Sequence, residues 1–381
     1  MRNCMDKIRR TKYENKLLES LKHFPITALI GPRQAGKSTL ARHIAQQISD
    51  RAIFFDLEDI TDLSKLQNIK LALEPLEPLV VIDEIQRKPE LFPYLRVLVD
   101  KFPERRYLIL GSASRDLIEQ ASETLAGRVN YIELTPFSLP ETLDLTRLMN
   151  RGGFPRSFVA PNDTISIDWR KSYIQSYLER DLPQLGIRLS SPDLYRFWMM
   201  LAHYHGNIVN YSEIGKSLQI SDTTVKKYVS ILEDTFMIRC LTPWHENISK
   251  RQVKSPKLYI RDIGILQCLL NIPNLMNHPK MGLIWEGFAI EEIIRFHSLR
   301  KEECYFWQTI NGAELDLLTF TGEKRGFEIK YSDHPNVTKS MLSAIESLSL
   351  DGLSVISPIN EQYLLKDNIR VIGLEQYVTM K

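Results

Sequence analysis

ALIGPRQAGKSTLARHIA, residues 28–45, decides the fold of the first part of this chain. An apolar run reaches Gly31, four residues intervene, and Gly36-Lys37-Ser38 leads into a helical pattern. The two glycines let the backbone curl so that successive N–H groups face phosphate oxygens, and the following helix adds its positive N-terminal end. In such a loop the lysine, Lys37, reaches the β- and γ-phosphates and the Ser38 hydroxyl ligates Mg²⁺. The expected ligand is ATP with Mg²⁺, held along Gly31, Pro32, Arg33, Gln34, Ala35, Gly36, Lys37, Ser38 and Thr39. A chance match in an ordinary strand–helix turn is the alternative, and the order strand, loop, helix argues against it.

Outward from the loop, short apolar runs recur: AIFFDL (52–57), LVVIDE (79–84), YLILGS (107–112) and VNYIEL (129–134), with helical stretches between them. Most lack polar alternation, as strands buried on both faces do, so residues 25–135 predict a parallel α/β sheet. LVVIDEIQRKPELF ends its strand in two carboxylates. Asp83 is expected beside the Mg²⁺ shell and Glu84 as the base that polarises water, which favours hydrolysis over binding alone. Ser112 closes the next strand. It either hydrogen-bonds the γ-phosphate or attacking water or, like Ser114, caps a helix. Arg128 precedes the last strand and is either an arginine finger for a neighbouring subunit or a surface arginine.

GPRQAGKSTL, VVIDEIQRKPELF, LGSASRDL and ETLAGRVNYIELTPFSLPE resemble a family of prokaryotic AAA-type P-loop ATPases. The likeness continues through GGFPRSF, YIQSYLERDLPQLGI, KSPKLYIRDIGIL and AELDLL…FEIK, so it covers nearly the whole chain. The one departure, Gln34-Ala35-Gly36 for the commoner Gln-Val-Gly, is conservative. The resemblance implies an α/β P-loop NTPase core (1–150), then a helical linker with a winged helix (151–270), then an α+β restriction-endonuclease-like domain (271–381). It also implies assembly into rings or dimers.

The residues themselves support parts of that division. YSEIGKSLQISDTTVKKYVSILEDTFMIRCL (211–241) reads as helix, turn, helix, with Val225, Val229 and Leu232 inward and Thr223, Thr224, Lys226, Lys227 and Ser230 outward. MIRCLTPW and KLYIRD are the expected wing strands. KRQVKSPK (250–257) between them is the densest basic cluster, suited to phosphate contact or simply solvated. Farther on, GLIWEGFAIEEIIRF reads as an amphipathic helix, and ELDLLTF and GFEIKYS as strands joined by a TGEKRG turn. Alternation puts Glu328 and Lys330 on one strand face, and pairing across the turn brings Asp316 beside them. With Glu286 from the helix, these resemble a PD-(D/E)XK nuclease constellation. In it, carboxylates at Glu286, Asp316 and Glu328 hold Mg²⁺ and Lys330 orients water or steadies phosphate charge. The alternative is a plain ion pair on a retained scaffold.

Bulk properties narrow the rest. The chain has 381 residues, 43% of them hydrophobic and 25% charged, with a net charge of +2, so nucleic-acid contact must come from local patches. Cys4, Cys240, Cys268 and Cys304 form no C-x-x-C pair, which suits a reducing cytoplasm. No apolar run is long enough for a membrane span or signal peptide. The expectation is a cytoplasmic ATPase acting on DNA, with DNA and further copies of itself as partners and no membrane. The rival is an ATP-driven switch whose C-terminal modules recruit proteins without nuclease activity.

Overall fold

Ile26–Ile30 (β1) is buried at every position, as a strand covered on both faces must be. It lies in a five-stranded sheet with Ile53–Asp56 (β2), Leu79–Asp83 (β3), Arg106–Gly111 (β4) and Val129–Glu133 (β5), in the order β2-β3-β4-β1-β5. Every pairing in it is parallel. The computed structural model describes residues 8–76, 79–112, 125–245, 255–275 and 277–380. It divides into two compact units: Met1–Pro136 with Asp234–Phe236, and Phe137–Glu233 with Met237–Lys381.

In the first unit, helices Thr11–His23 (α1) and Lys37–Ile48 (α2) cover one sheet face. Leu17, Leu21, Leu40, Ala41 and Ile44 meet Leu29, Val81, Leu108 and Leu110 there. Leu91–Lys101 (α3) covers the other face, where Leu91, Phe92, Leu95 and Leu98 pack against Ile30, Ile82 and Ile109. The spacing of those residues gives each helix one apolar stripe. Because all five strands run the same way, their C-terminal ends share one edge. Gly31, Asp83 and Ser112 therefore arrive together.

The second unit opens with three short helices and then the longer Asp163–Ser176 (α4), Ser191–His203 (α5), Tyr211–Leu218 (α6) and Asp222–Asp234 (α7). A row of rings, Phe154, Trp169, Tyr173, Tyr177 and Trp198, forms its aromatic core. Its sheet has nine strands. The first three are Asn207–Ile208 (β6), Ile238–Pro243 (β7) and Lys257–Ile260 (β8), and helices Ile263–Leu269 (α8) and Met281–His297 (α9) follow. Next come Cys304–Gln308 (β9), Glu314–Phe320 (β10), Lys324–Ile329 (β11), helix Lys339–Leu348 (α10), Leu353–Ser357 (β12), Gln362–Lys366 (β13) and Ile369–Gly373 (β14). The order is β13-β14-β12-β11-β10-β9-β7-β8-β6.

The helix read as amphipathic, α9, is instead buried on nearly every side, including Glu286, Glu291 and Glu292. Its glutamates are tolerated because each has partners. Glu291 pairs with Arg239, with Arg261 at 3.2 Å and with Arg295 at 3.7 Å. Glu292 accepts from the Leu139 N–H at 2.7 Å and pairs with Arg295 at 3.0 Å.

Candidate functional site

The loop after β1 has the backbone that its glycines permit. Gly31 sits at φ +150°, and a Cβ there would lie 2.1 Å from the Leu134 carbonyl oxygen, so only glycine fits. Gly36, at φ 99°, caps α2 in the left-handed region. Lys37 is buried, and its Nζ donates to the Gly31 and Pro32 carbonyls at 2.9 and 3.0 Å, which folds the amine back over the loop. Burial depresses its pKa, with Glu84 and Asp83 pulling the other way.

Ser38 donates its hydroxyl to Asp83 Oδ2 at 2.5 Å. Burial raises the Asp83 carboxyl, partly offset by that hydrogen bond. A half-buried carboxylate whose charge is disfavoured, touching a hydroxyl at the mouth of a phosphate loop, is a donor set that fits Mg²⁺. Glu84 follows at φ 54°, an uncommon conformation for a side-chain-bearing residue. Its Oε2 accepts from Ser112 Oγ at 3.1 Å and from the Gln86 amide, which also donates to Ser112 at 3.0 Å. Glu84, Gln86 and Ser112 thus form one closed triangle at the strand edge.

Gln86 escapes sequence reasoning, since a glutamine two residues past a strand carries no signal of its own. Arg10 escapes it likewise. It is buried, and its guanidinium donates to the Ala35 carbonyl of the loop at 3.2 Å. Arg33 is tied to Glu58 at 2.6 Å. Arg128 stands apart from all of these. It precedes β5, whose first residue is level with Ile26 at the start of β1, so it lies at the sheet edge opposite the phosphate loop. There it grips Asp100 through two bonds of 2.8 and 3.0 Å. Ser114 falls outside the described residues.

The second unit gathers the other predicted charges. The register of β10 and β11 pairs Leu317 with Phe327, and Asp316 Oδ2 accepts from the Ile329 N–H at 2.8 Å. Lys330 pairs with Glu328 Oε1 at 2.7 Å. Glu328 Oε2 is buried and has no hydrogen-bond partner. Lys257, which the sequence groups with the basic cluster, completes this set and is buried. Its Nζ stands 3.3 Å from Glu286, 3.8 Å from Asp316 and 3.9 Å from Glu314. Tyr259 donates to Glu286 at 2.6 Å.

Burial and then Asp316 push the Glu286 carboxyl up to about 7, against the pull of Lys257 and Tyr259. The same two causes push Glu328 up to about 8, with Lys330 opposing. Burial works against the Lys257 charge, but Glu286, Asp316 and Glu314 outweigh it and raise its pKa. Among the described residues no group of three His, Cys, Asp or Glu is placed to hold a metal ion.

In the helix pair, Val225, Val229 and Leu232 are buried, with Tyr228 beside them, while Thr223, Lys226, Lys227 and Ser230 are exposed and Thr224 is half-buried. β7 and β8 pair antiparallel, Ile238 opposite Ile260. Lys250, Arg251 and Lys254 lie outside the described residues. No described helix is long and apolar enough to cross a membrane.

Comparison with known proteins bears first on the loop. An AAA domain matches residues 23–143, and two domains of unknown function match 142–275 and 281–377. Uncharacterized proteins of Mycobacterium tuberculosis and Mycobacterium bovis are each 42% identical, over 99% of this chain and 86% of theirs. A Walker-type ATPase of Pyrococcus abyssi has a TM-score of 0.49 at 17% identity, covering 69% of this chain and 96% of that one.

Proposed function

Because the chain belongs to the same family as the two mycobacterial proteins and carries an AAA domain, we propose that it binds ATP with Mg²⁺ and hydrolyses it at the loop 31–39. The observation that carries this is the contact of Ser38 with Asp83 beside Lys37 and the Glu84–Gln86–Ser112 triangle. Mg²⁺ held by Ser38 and Asp83 supplies charge neutralisation at the phosphates. Lys37 exchanges its two carbonyl partners for phosphate oxygens, and the loop N–H groups orient the chain of phosphates. Glu84, turned toward the attacking water, takes its proton, and Ser112 and Gln86 set where that carboxylate points. Arg128 acts on the nucleotide of a second copy, so the working form is a homo-oligomer.

The target is DNA, in the cytoplasm. Helix α7 presents Lys226, Lys227, Thr223 and Ser230 as a winged helix would present its reading helix, and Lys250, Arg251 and Lys254 add phosphate contacts. Glu286, Asp316, Glu328 and Lys330 are the residues of a nuclease-like site, with Mg²⁺ as its metal. The deciding experiment measures ATPase rate with and without single- and double-stranded DNA, over a salt series. Stimulation by DNA with salt-sensitive affinity is expected. ATP-dependent assembly that ignores DNA would favour the rival, a switch that recruits protein partners.

A further inference from the structure

The carboxylate cluster of the second unit contains a cation of its own. Lys257 comes from β8, which pairs with β7 and β6, whereas Asp316 and Glu328 belong to β10 and β11 and Glu286 to α9. Its ammonium group reaches three carboxylates within ion-pair distance from a buried position. Lys330, by contrast, is half-exposed and makes its ion pair with Glu328, while Asp316 and Glu286 act on it from farther away. Glu328 keeps one oxygen, Oε2, buried without a partner in a residue only 2% exposed. Its carboxylate lies close enough to Asp316 to feel that charge, and a buried polar atom left unsatisfied is costly, so a cation entering the cluster would find a ligand in that oxygen.

We infer that Lys257 is a tethered counter-ion that keeps divalent cations out of the Glu286–Asp316–Glu328 site, so that a metal enters only when its amine leaves. An ammonium and a divalent ion compete for the same carboxylates, and repulsion forbids both at the contact distances seen here. The cluster has chemistry suited to a hard cation, yet no three acidic groups stand in metal-holding positions among the described residues while Lys257 is lodged beside two of them. This rests on the nuclease-like reading only in sharing its residues. Lys257 is a positioning residue here, with no direct role in bond breaking.

The test uses full-length, nucleotide-free protein and Mn²⁺ as the probe. Calorimetric titration of wild type, Lys257→Met, Lys257→Arg and the double variant Lys257→Met/Glu328→Gln separates this site from the phosphate loop, which all four share. The expected result is a new Mn²⁺ site in Lys257→Met, at least about tenfold tighter than any in wild type. It should be absent from Lys257→Arg and from the double variant. Mn²⁺ should also raise the melting temperature of Lys257→Met and not that of wild type. If Lys257→Met does not fold without metal, refolding with and without Mn²⁺ gives the same answer: Mn²⁺-dependent recovery supports the inference. Equal Mn²⁺ binding by wild type and Lys257→Met, or failure to fold regardless of Mn²⁺, overturns it. Metal gained without cleavage of linear, branched or single-stranded DNA leaves the inference standing and removes the nuclease reading.

Discussion

Glu84 occupies a left-handed backbone position that costs a residue with a side chain about 1–2 kcal/mol, and the hydrogen bonds from Gln86 and Ser112 hold it there. Such a placement aims its carboxylate across the strand edge instead of out to solvent. Glu84→Gln should therefore bind ATP and hydrolyse it about 10²–10⁴-fold more slowly, the usual contribution of a positioned base. Lys37→Ala should lose nucleotide binding altogether. Normal turnover by Glu84→Gln would mean that another group activates the water. In the second unit, His205 accepts from the Ile260 N–H at 3.0 Å through Nδ1, which leaves the proton of the neutral ring on Nε2. Burial lowers its pKa from 6.5 to about 3, with Lys280 assisting and the Leu283 carbonyl and Glu291 opposing. Between those values the unfolded chain binds the extra proton. The stability His205 confers is thus present above pH 6.5 and drains away as pH falls toward 3. In His205→Asn the dependence of unfolding free energy on pH across that window should flatten by up to about 1.4 kcal/mol per pH unit. An unchanged slope would show that the acid sensitivity lies elsewhere.

Between elements, one tie is electrostatic. Glu291 on α9 answers Arg239 of β7 and Arg261 just past β8, so one carboxylate joins the helix to two strands. Removing it takes a buried carboxylate away from the guanidinium groups around it, and Glu291→Ala should cost about 3–5 kcal/mol in denaturant unfolding. A change below about 1 kcal/mol would mean the arginines find water or other acceptors. On the exposed side of α7, Lys226→Ala with Lys227→Ala should weaken DNA binding alike across sequences. The salt dependence should flatten by about one unit for each phosphate that the variant no longer neutralises. Affinity that does not move would put this face in protein recognition. How legible these elements are differs by cause. Three strands of the first sheet, β1, β3 and β4, read as apolar runs because both their faces are buried, whereas β2 and β5 at the sheet edges are only partly so, and α6 and α7 stand out because their apolar spacing is helical. Asp316 and Glu328 are foreseeable neighbours because a short turn fixes the register of β10 against β11. Lys257 is not, because it reaches Asp316 from a distant strand and sits in a run of basic residues. Nor is the burial of α9, whose glutamates read as a polar face until their arginines arrive from β7 and β8. Across residue 270, which the sequence reading takes as a boundary, β7 pairs parallel with β9 (Thr242 with Tyr305), a pairing no local pattern announces.

At the scale of the whole molecule the question is what Arg128 acts on. Parallel strands gather the loop 31–39, Asp83, Glu84 and Ser112 at their C-terminal ends, while Arg128 stands before the N-terminal end of β5. A strand of this length separates the two edges by on the order of 15 Å, beyond the reach of one side chain. Arg128 therefore has no access to the nucleotide of its own chain, and its work is either the pair with Asp100 or a site on a second copy. The pair contributes modest stability: the Arg128 side chain is 33% and that of Asp100 51% exposed, and pairs this exposed contribute about 1 kcal/mol even when, as here, the guanidinium grips with two bonds. A finger supplied to a neighbour, on the other hand, accelerates turnover by about 10³-fold or more. Arg128→Ala should accordingly keep its ATP affinity and melting temperature and lose nearly all turnover, whereas Asp100→Asn should leave turnover near wild type. Mixing provides the decisive readout. Arg128→Ala retains an intact phosphate loop and Lys37→Ala retains an intact arginine, so each alone is inactive. If the arginine works between chains, the mixture forms junctions holding both parts, and activity returns in proportion to them. A mixture as inactive as its components, or a monomer that hydrolyses ATP at full rate with ATP saturating, would confine Arg128 to its pair with Asp100.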